Sequence, residues 1–281
     1  MMKIAVLFTC FNRIEKTRAC IESIECAAQN ADCELNWFIT DGGSADGTIE
    51  ELSGLPRINL VVSKGAYYSQ GMLSCMNLLD KNSPLQYDYV MLVNDDVDFY
   101  EDFLKKILSY SCEYGHNKTI VGATCSNNAP SKIDNESSQT YGGIRYAKSA
   151  LSVRYSMVSI DDADSSCDTF NANCVLIPID LYIKSPRMDA HFVHGLGDFD
   201  YGMCLHGDKI TTNFYVGKCE NNSKSGTWMD TSLSASKRIK KLNEVKGSPT
   251  KQWFYYLRKH FGLCSATLHS ISPYVRILLH K

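Results

Sequence analysis

Apolar and polar positions alternate with a clear rhythm along the first half of the chain. Short apolar runs at Lys3 to Thr9, Glu34 to Thr40, Ile58 to Ser63, Tyr87 to Val93 and Thr119 to Thr124 read as strands. Between them lie segments of helical spacing: one opening at Asn12 with Ile14, Ile21 and Ile24 on one face, then Thr48 to Leu52, Gln70 to Leu79 and Phe99 to Tyr114. Asn12 is placed to cap the first of these, with Glu15 at the third helical position. Tyr89-Val90-Met91-Leu92-Val93 is apolar throughout, as expected of a parallel strand buried on both faces. This βαβα alternation predicts an α/β fold with a mostly parallel sheet flanked by helices.

The rhythm changes beyond residue 126. Asn127 to Ser138 is polar, contains Pro130 and reads as a loop. Thr140 to Ile160 alternates as antiparallel strands would, and Phe170 to Pro178 is a further strand-like run. Leu196 to Gly207 opens as a helix, and Thr211 to Val216 is a last strand. From Met229 the chain turns basic and helical, through Lys237 to Lys241 and Trp253 to Lys259. The boundaries therefore fall at 1–228, with halves of about 1–126 and 127–228, and a C-terminal helical appendage at 229–281.

Composition narrows the function. The chain has 281 residues, 44% of them hydrophobic and 21% charged, which is ordinary globular material. A net charge of −2 supplies no overall field for nucleic acid, and Lys237 to Lys241 reads as a solvated helix face. Met1 to Phe8 is short and runs into Thr9-Cys10-Phe11-Asn12-Arg13 without a cleavage-like site, so no signal peptide is expected. No apolar run approaches a membrane span of ~18 residues. The twelve cysteines form no CxxC pair, which suits reduced thiols and a cytoplasmic location.

The chemistry concentrates where strands end. Asp95-Asp96-Val97-Asp98 follows the run ending at Val93, with Asn94 between. Adjacent carboxylates there repel one another and are costly to desolvate, and a hard divalent cation, Mn²⁺ or Mg²⁺, would relieve both and could also grip a diphosphate. Asp98 reads better as the N-cap of a helix starting at Phe99. Asp41-Gly42-Gly43-Ser44-Ala45-Asp46-Gly47-Thr48 follows the second strand, where ligands bind in open α/β sheets. Asp41 could accept hydrogen bonds from a base or ribose; the plainer alternative is a turn in which Ser44 or Asp46 caps a helix.

Thr9-Cys10-Phe11-Asn12-Arg13, Asp41-Gly42-Gly43-Ser44 with Asp46-Gly47-Thr48, and Asn94-Asp95-Asp96-Val97 together resemble the family 2 glycosyltransferases. Gly197-Asp198-Phe199-Asp200-Tyr201 resembles that family's acidic acceptor-side block, and Phe170 to Pro178 the strand before it. The likeness spans roughly residues 3 to 220, with the blocks in order. It implies a GT-A-like Rossmannoid fold whose first half binds a nucleotide-diphosphate sugar and whose second half binds the acceptor. Thr9, Phe11, Arg13, Asp41, Gly43, Ser44 and Asp95 would then bind the nucleotide sugar. Asp96 and Asp95 would hold the metal, and Asp198, or alternatively Asp200, would deprotonate a glycan or lipid-linked acceptor. Inverting transfer in surface polysaccharide synthesis is the activity implied. The departures are Asn94 and Gly197, where the family usually carries acids. A nucleotidyltransferase and a non-catalytic sugar-nucleotide-binding domain are the alternative readings.

Four features stay open at this level. His191 and His194 have an i, i+3 spacing that invites zinc but lack companion ligands. Tyr67 and Tyr68 suit either donor stacking or core. Lys218 to Trp228 resembles a loop that closes over the donor. The basic and aromatic tail suits peripheral contact with the inner face of the plasma membrane, packing on the catalytic unit, or a homodimer contact.

Overall fold

The computed structural model describes residues 1–126, 139–148, 153–220 and 226–279. The polar stretch Asn127 to Ser138 and part of the Lys218 to Trp228 loop lie outside the described residues. The expected alternation is present: β1 (Met2–Cys10), α1 (Ile14–Asn30), β2 (Cys33–Asp41), α2 (Thr48–Ser53), β3 (Ile58–Val62), α3 (Tyr68–Lys81) and β4 (Tyr89–Val93). Next come β5 (Asp98–Phe99), α4 (Phe103–Glu113), β6 (Thr119–Cys125), β7 (Gln139–Tyr141), β8 (Gly143–Lys148) and β9 (Val153–Met157). The second half continues with β10 (Ser166–Cys167), β11 (Thr169–Phe170), β12 (Cys174–Pro178), α5 (Ile179–Lys184), α6 (Gly197–Cys204) and β13 (Lys209–Lys218). The tail forms α7 (Ala235–Asn243), α8 (Thr250–Phe261) and α9 (Leu263–Leu278).

The main sheet runs β10-β13-β6-β12-β4-β1-β2-β3. Strands β4, β1, β2 and β3 are mutually parallel, as are β6 and β13. Strand β12 is inserted antiparallel between β4 and β6. That reversal places the start of β12 beside the end of β4, with Cys174 opposite Val93. One edge of the sheet therefore collects the carboxyl ends of β1, β2, β4, β6 and β13 with the beginning of β12. Alternation along β1 explains the two-sided core. Val6 and Phe8 face α1 and α4 with Trp37, Met91 and Phe103, while Ala5 and Leu7 face the opposite layer with Phe38, Met72, Met76 and Tyr201. Strand β4 is buried along its whole length, as its unbroken apolar run requires. A separate antiparallel sheet, β11-β8-β9, supplies the hairpin expected between Thr140 and Ile160.

Two expected caps are not made. Asp98 does not cap a helix: it pairs with Lys218 in β5, and the helix starts only at Phe103. Asn12 sits in the left-handed region at φ 50 and does not cap α1. Its side-chain oxygen instead accepts the Ala45 N–H at 2.8 Å, and Asp46 reaches across to accept the first N–H of α1, from Ile14, at 3.0 Å. The helix is thus capped by the loop after β2.

The aromatic run of the tail turns inward. Tyr256 and Leu257 of α8 are buried against Phe192, with Trp253, Phe254, Tyr255 and Phe261 around them. Hydroxyls of Tyr256 and Tyr146 meet at 2.7 Å. These aromatics belong to packing on the sheet-bearing unit.

Candidate active site

The loop after β2 is organised by Asp41. Its carboxylate is fully buried and accepts N–H bonds from Gly43 (2.7 Å) and Ser44 (2.6 Å), the Ser44 hydroxyl (2.6 Å) and the Cys10 thiol (3.4 Å). Gly43 makes this turn with φ +93, in the left-handed region that disfavours side chains. Ser44 in turn accepts the Asn12 N–H at 2.8 Å, so the loops after β1 and β2 are laced together. The Asp41 carboxylate thus holds the turn together, and Asp46 caps α1 as the turn alternative allowed. Beside this loop, Phe11 is 53% exposed, and the Thr9 side chain lies against Gly71 of α3.

Beyond β4, the acidic pair meets a cation that the chain itself supplies. Arg13 Nη1 lies 2.9 Å from Asp95 Oδ1 and 3.4 Å from Asp96 Oδ2. The second Asp95 oxygen accepts the Thr17 hydroxyl at 3.2 Å. Thr17 stands four residues after Arg13, one turn along the same face of α1, and that spacing was the available signal for it. Burial pushes the Asp95 carboxyl up to about 6, against the pull of Arg13 and with a push from Asp96.

The two acids differ as metal ligands. Asp95 is buried with both oxygens engaged. Asp96 is 37% exposed and directs one oxygen to Arg13 and the other to the Cys219 thiol at 3.8 Å. Mg²⁺ and Mn²⁺ are commonly held by one or two carboxylates plus substrate phosphates, so Asp96 fits such an ion when a diphosphate completes the shell. The zinc reading of His191 and His194 gains no support. His191 stacks on Tyr255 with ring centroids 3.8 Å apart, and His194 meets the ring of Tyr67 edge-on. Among the described residues, the trio within metal-ligand reach of one another is Asp200, Cys204 and His260. There the Lys259 ammonium, 2.9 Å from Asp200, already provides positive charge.

Asp198 opens α6. Its carboxylate accepts the Phe199 N–H at 2.9 Å and the Ala172 N–H at 3.4 Å, and burial raises it to about 6. Among the described residues it has no cationic partner. The link back to the acidic pair is short in covalent terms. Ala172 adjoins Asn173, whose amide donates to the Cys219 sulfur at 3.4 Å, and that thiol donates to Asp96. The Tyr68 hydroxyl is buried without a hydrogen-bond partner, and its proton is held by burial and by the charges of Asp198 and Asp96. Asp96 and Asp198 thus both lie close enough to the Tyr68 hydroxyl for their charges to act on it. Gly197 has a steric reason. A Cβ there would run into the Ser69 side chain, with Ser69 Cβ 2.6 Å away, while Ser69 itself holds the His194 carbonyl at 2.6 Å. An acid at this position has no room.

Asp200 has a different environment from Asp198. It is 2% exposed and is clamped by Lys259 at 2.9 Å and His260 Nε2 at 2.7 Å, both from α8. Lys259 and the Tyr255 hydroxyl also engage Asp189, at 3.1 and 2.8 Å. Sequence reasoning missed Lys259 and His260, which lie 59 and 60 residues from Asp200 with no local pattern to announce them.

No family model matches this sequence, and no curated protein matches it. Solved structures do. The 1–349 fragment of S. aureus TarS, in complex with UDP, is 12% identical, with 99% of this chain and 81% of that one covered at a TM-score of 0.52. Mannosyltransferase PcManGT from Pyrobaculum calidifontis, in complex with GDP-Man and Mn²⁺, is 11% identical, with 98% and 74% covered at a TM-score of 0.53. At such identities the likeness shows the fold: the GT-A-like α/β architecture with its C-terminal helical segment.

Proposed function

We propose that residues 1–228 form an inverting glycosyltransferase unit. It moves a sugar from a nucleotide-diphosphate donor to a hydroxyl of a glycan or lipid-linked acceptor. The observation that carries this reading is that two unlike acidic stations both reach the buried Tyr68 hydroxyl electrostatically. One is the arginine-paired Asp95 and Asp96; the other is Asp198, raised by burial and without a cation partner among the described residues. The structures of similar fold hold UDP in one case and GDP-Man with Mn²⁺ in the other, which supports a nucleotide-sugar donor.

In this reading each group has a separate task. The Arg13 guanidinium and the exposed Asp96 border the diphosphate, and Arg13 supplies positive charge to the departing phosphate. A divalent cation held by Asp96 and the diphosphate oxygens would offset further charge on the leaving group. Asp95 keeps Arg13 in place. Phe11 and Thr9, beside the Asp41 loop, line the nucleotide side, with Gly43 and Ser44 fixing that loop. Asp198 accepts the proton of the acceptor hydroxyl as its oxygen bonds to the anomeric carbon. The bond from that carbon to the diphosphate breaks on the opposite face, which inverts the centre. A carboxyl raised to about 6 is a stronger base than an ordinary aspartate yet is ionised at neutral pH. Asp200 serves to hold α6 against α8 and is not the base in this reading.

The test is a panel of UDP- and GDP-sugars with Mn²⁺ or Mg²⁺, followed by release of the nucleoside diphosphate and by NMR of the product anomer. Release with inverted configuration supports the proposal. Release of pyrophosphate would favour the nucleotidyltransferase, and nucleotide binding without any release would favour the non-catalytic domain.

A further inference from the structure

Helix α9 is built with its large residues facing out. Its buried positions are mostly small: Ser265, Ala266 and Ser270, with Ile277. Leu268, Ile271, Val275 and Leu278 recur at intervals of three and four along the opposite face, and they are 47%, 54%, 46% and 65% exposed. Leu279, at 60%, extends the stripe. A surface helix of a soluble protein normally turns such residues inward and exposes polar ones. The helix is held to its neighbours by other contacts, among them the Tyr274 hydroxyl on Thr250 (2.7 Å) and Asn243 (3.0 Å).

The segment that carries this stripe is one-sided in charge. Of the chain's 29 Lys and Arg, ten lie in residues 229–281, against two of its 31 Asp and Glu, so the tail is net +8 and the remainder net −10. Helix α9 has no acidic residue. Arg276 on α9, Lys251 and Arg258 on α8, and Lys237 and Lys240 on α7 are exposed. A second copy of the chain is a poor occupant for the stripe. An isologous contact would set this basic region against itself. An anionic lipid surface meets both features at once: acyl chains take the leucine and isoleucine side chains, and headgroups take the basic ones. Among the described residues, no helix is long and apolar enough to cross a membrane, so the arrangement is one for lying on a bilayer.

We propose that the outer face of α9, carried by a strongly basic helical segment with exposed Lys and Arg on α7, α8 and α9, docks the protein on an anionic membrane surface. This does not rest on the sugar-transfer reading, and its test needs no activity. The probes are flotation with vesicles of pure phosphatidylcholine and with vesicles of equal parts phosphatidylcholine and phosphatidylglycerol. The full chain should float with the anionic vesicles, at least tenfold more than with the neutral ones, and should release in high salt. The double variant Ile271→Glu, Val275→Glu should lose at least tenfold of this binding. Both side chains are exposed, so circular dichroism and the melting temperature should match wild type. No binding to anionic vesicles, equal binding to neutral ones, or undiminished binding by a folded double variant would each overturn the proposal. So would sedimentation showing a wild-type dimer that the double variant converts to monomer, with no lipid bound.

Discussion

Asp198→Asn should make the protein more stable while removing its activity. The Asp198 carboxyl has no cationic partner among the described residues, and burial raises it from 3.8 to about 6. Each pH unit of such a shift corresponds to ~1.36 kcal/mol, so the ionised side chain costs the folded state up to ~3 kcal/mol at neutral pH. The sign follows from proton binding. Between 3.8 and about 6 the folded protein holds a proton that the unfolded chain has released, so stability falls as pH rises through this window and then levels. Asparagine keeps one oxygen for the Phe199 N–H, turns its NH2 towards the longer Ala172 contact, which is lost, and carries no charge. The variant should therefore gain ~1–2 kcal/mol over wild type at pH 7.5, the charge relief less about one lost hydrogen bond, and this advantage should shrink by ~3 kcal/mol towards pH 4. Urea unfolding of both proteins across this range measures it, and using the difference between them cancels Asp95, which is raised to a similar value. A variant that is less stable at pH 7.5, or whose advantage does not change with pH, would refute the claim that this carboxylate is desolvated and unpaired.

The same station sets the pH dependence of turnover: the rate should fall with decreasing pH through about 6, where Asp198 takes up its proton, as read from a pH profile at saturating donor. Gly197→Ala should cost ~1–3 kcal/mol by overpacking against Ser69, and it should also slow turnover because the strain is next to Asp198; urea midpoints and rates check both. Asp200→Asn should cost roughly 2 kcal/mol, less than the ~3–5 kcal/mol for breaking a fully buried pair, because Lys259 is 31% exposed. Its signature should be faster proteolysis within α8. Arg13→Ala should weaken nucleoside diphosphate binding by about tenfold in calorimetry, from loss of a charge-assisted contact to phosphate, with stability also reduced because Asp95 loses its cation.

The parallel strands were legible because each is a short apolar run bounded by polar turns, and β4 is buried on both faces as its composition demands. The order of the strand ends was enough to gather Arg13, Asp41, Asp95 and Asp96, since β1, β2 and β4 are adjacent and parallel. The errors arose where a distant segment decided the local structure. Asp98 has the composition of a helix cap, yet Lys218 of β13 draws it into a strand. Asn12 precedes a helix, yet the loop after β2 claims its side chain and returns Asp46 as the cap. The separate environments of Asp198 and Asp200 were not legible, because what distinguishes them is Lys259 and His260 on a helix that docks from the far end of the chain. Likewise the tail's aromatic residues looked suited to a membrane, but Phe192 and Tyr146 give them a buried partner, which leaves α9 with the exposed apolar face.

The central claim is that Asp198 is the base and the Arg13–Asp96 station holds the donor. The most direct measurement is nucleoside diphosphate release by wild type and Asp198→Asn from the best donor sugar, alongside calorimetric affinity for that nucleoside diphosphate. Release should fall by at least ~10²-fold, the lower range for losing a general base, with nucleotide affinity within about twofold of wild type. Release at the wild-type rate by Asp198→Asn, or an equal loss of release and of nucleotide affinity, would contradict it.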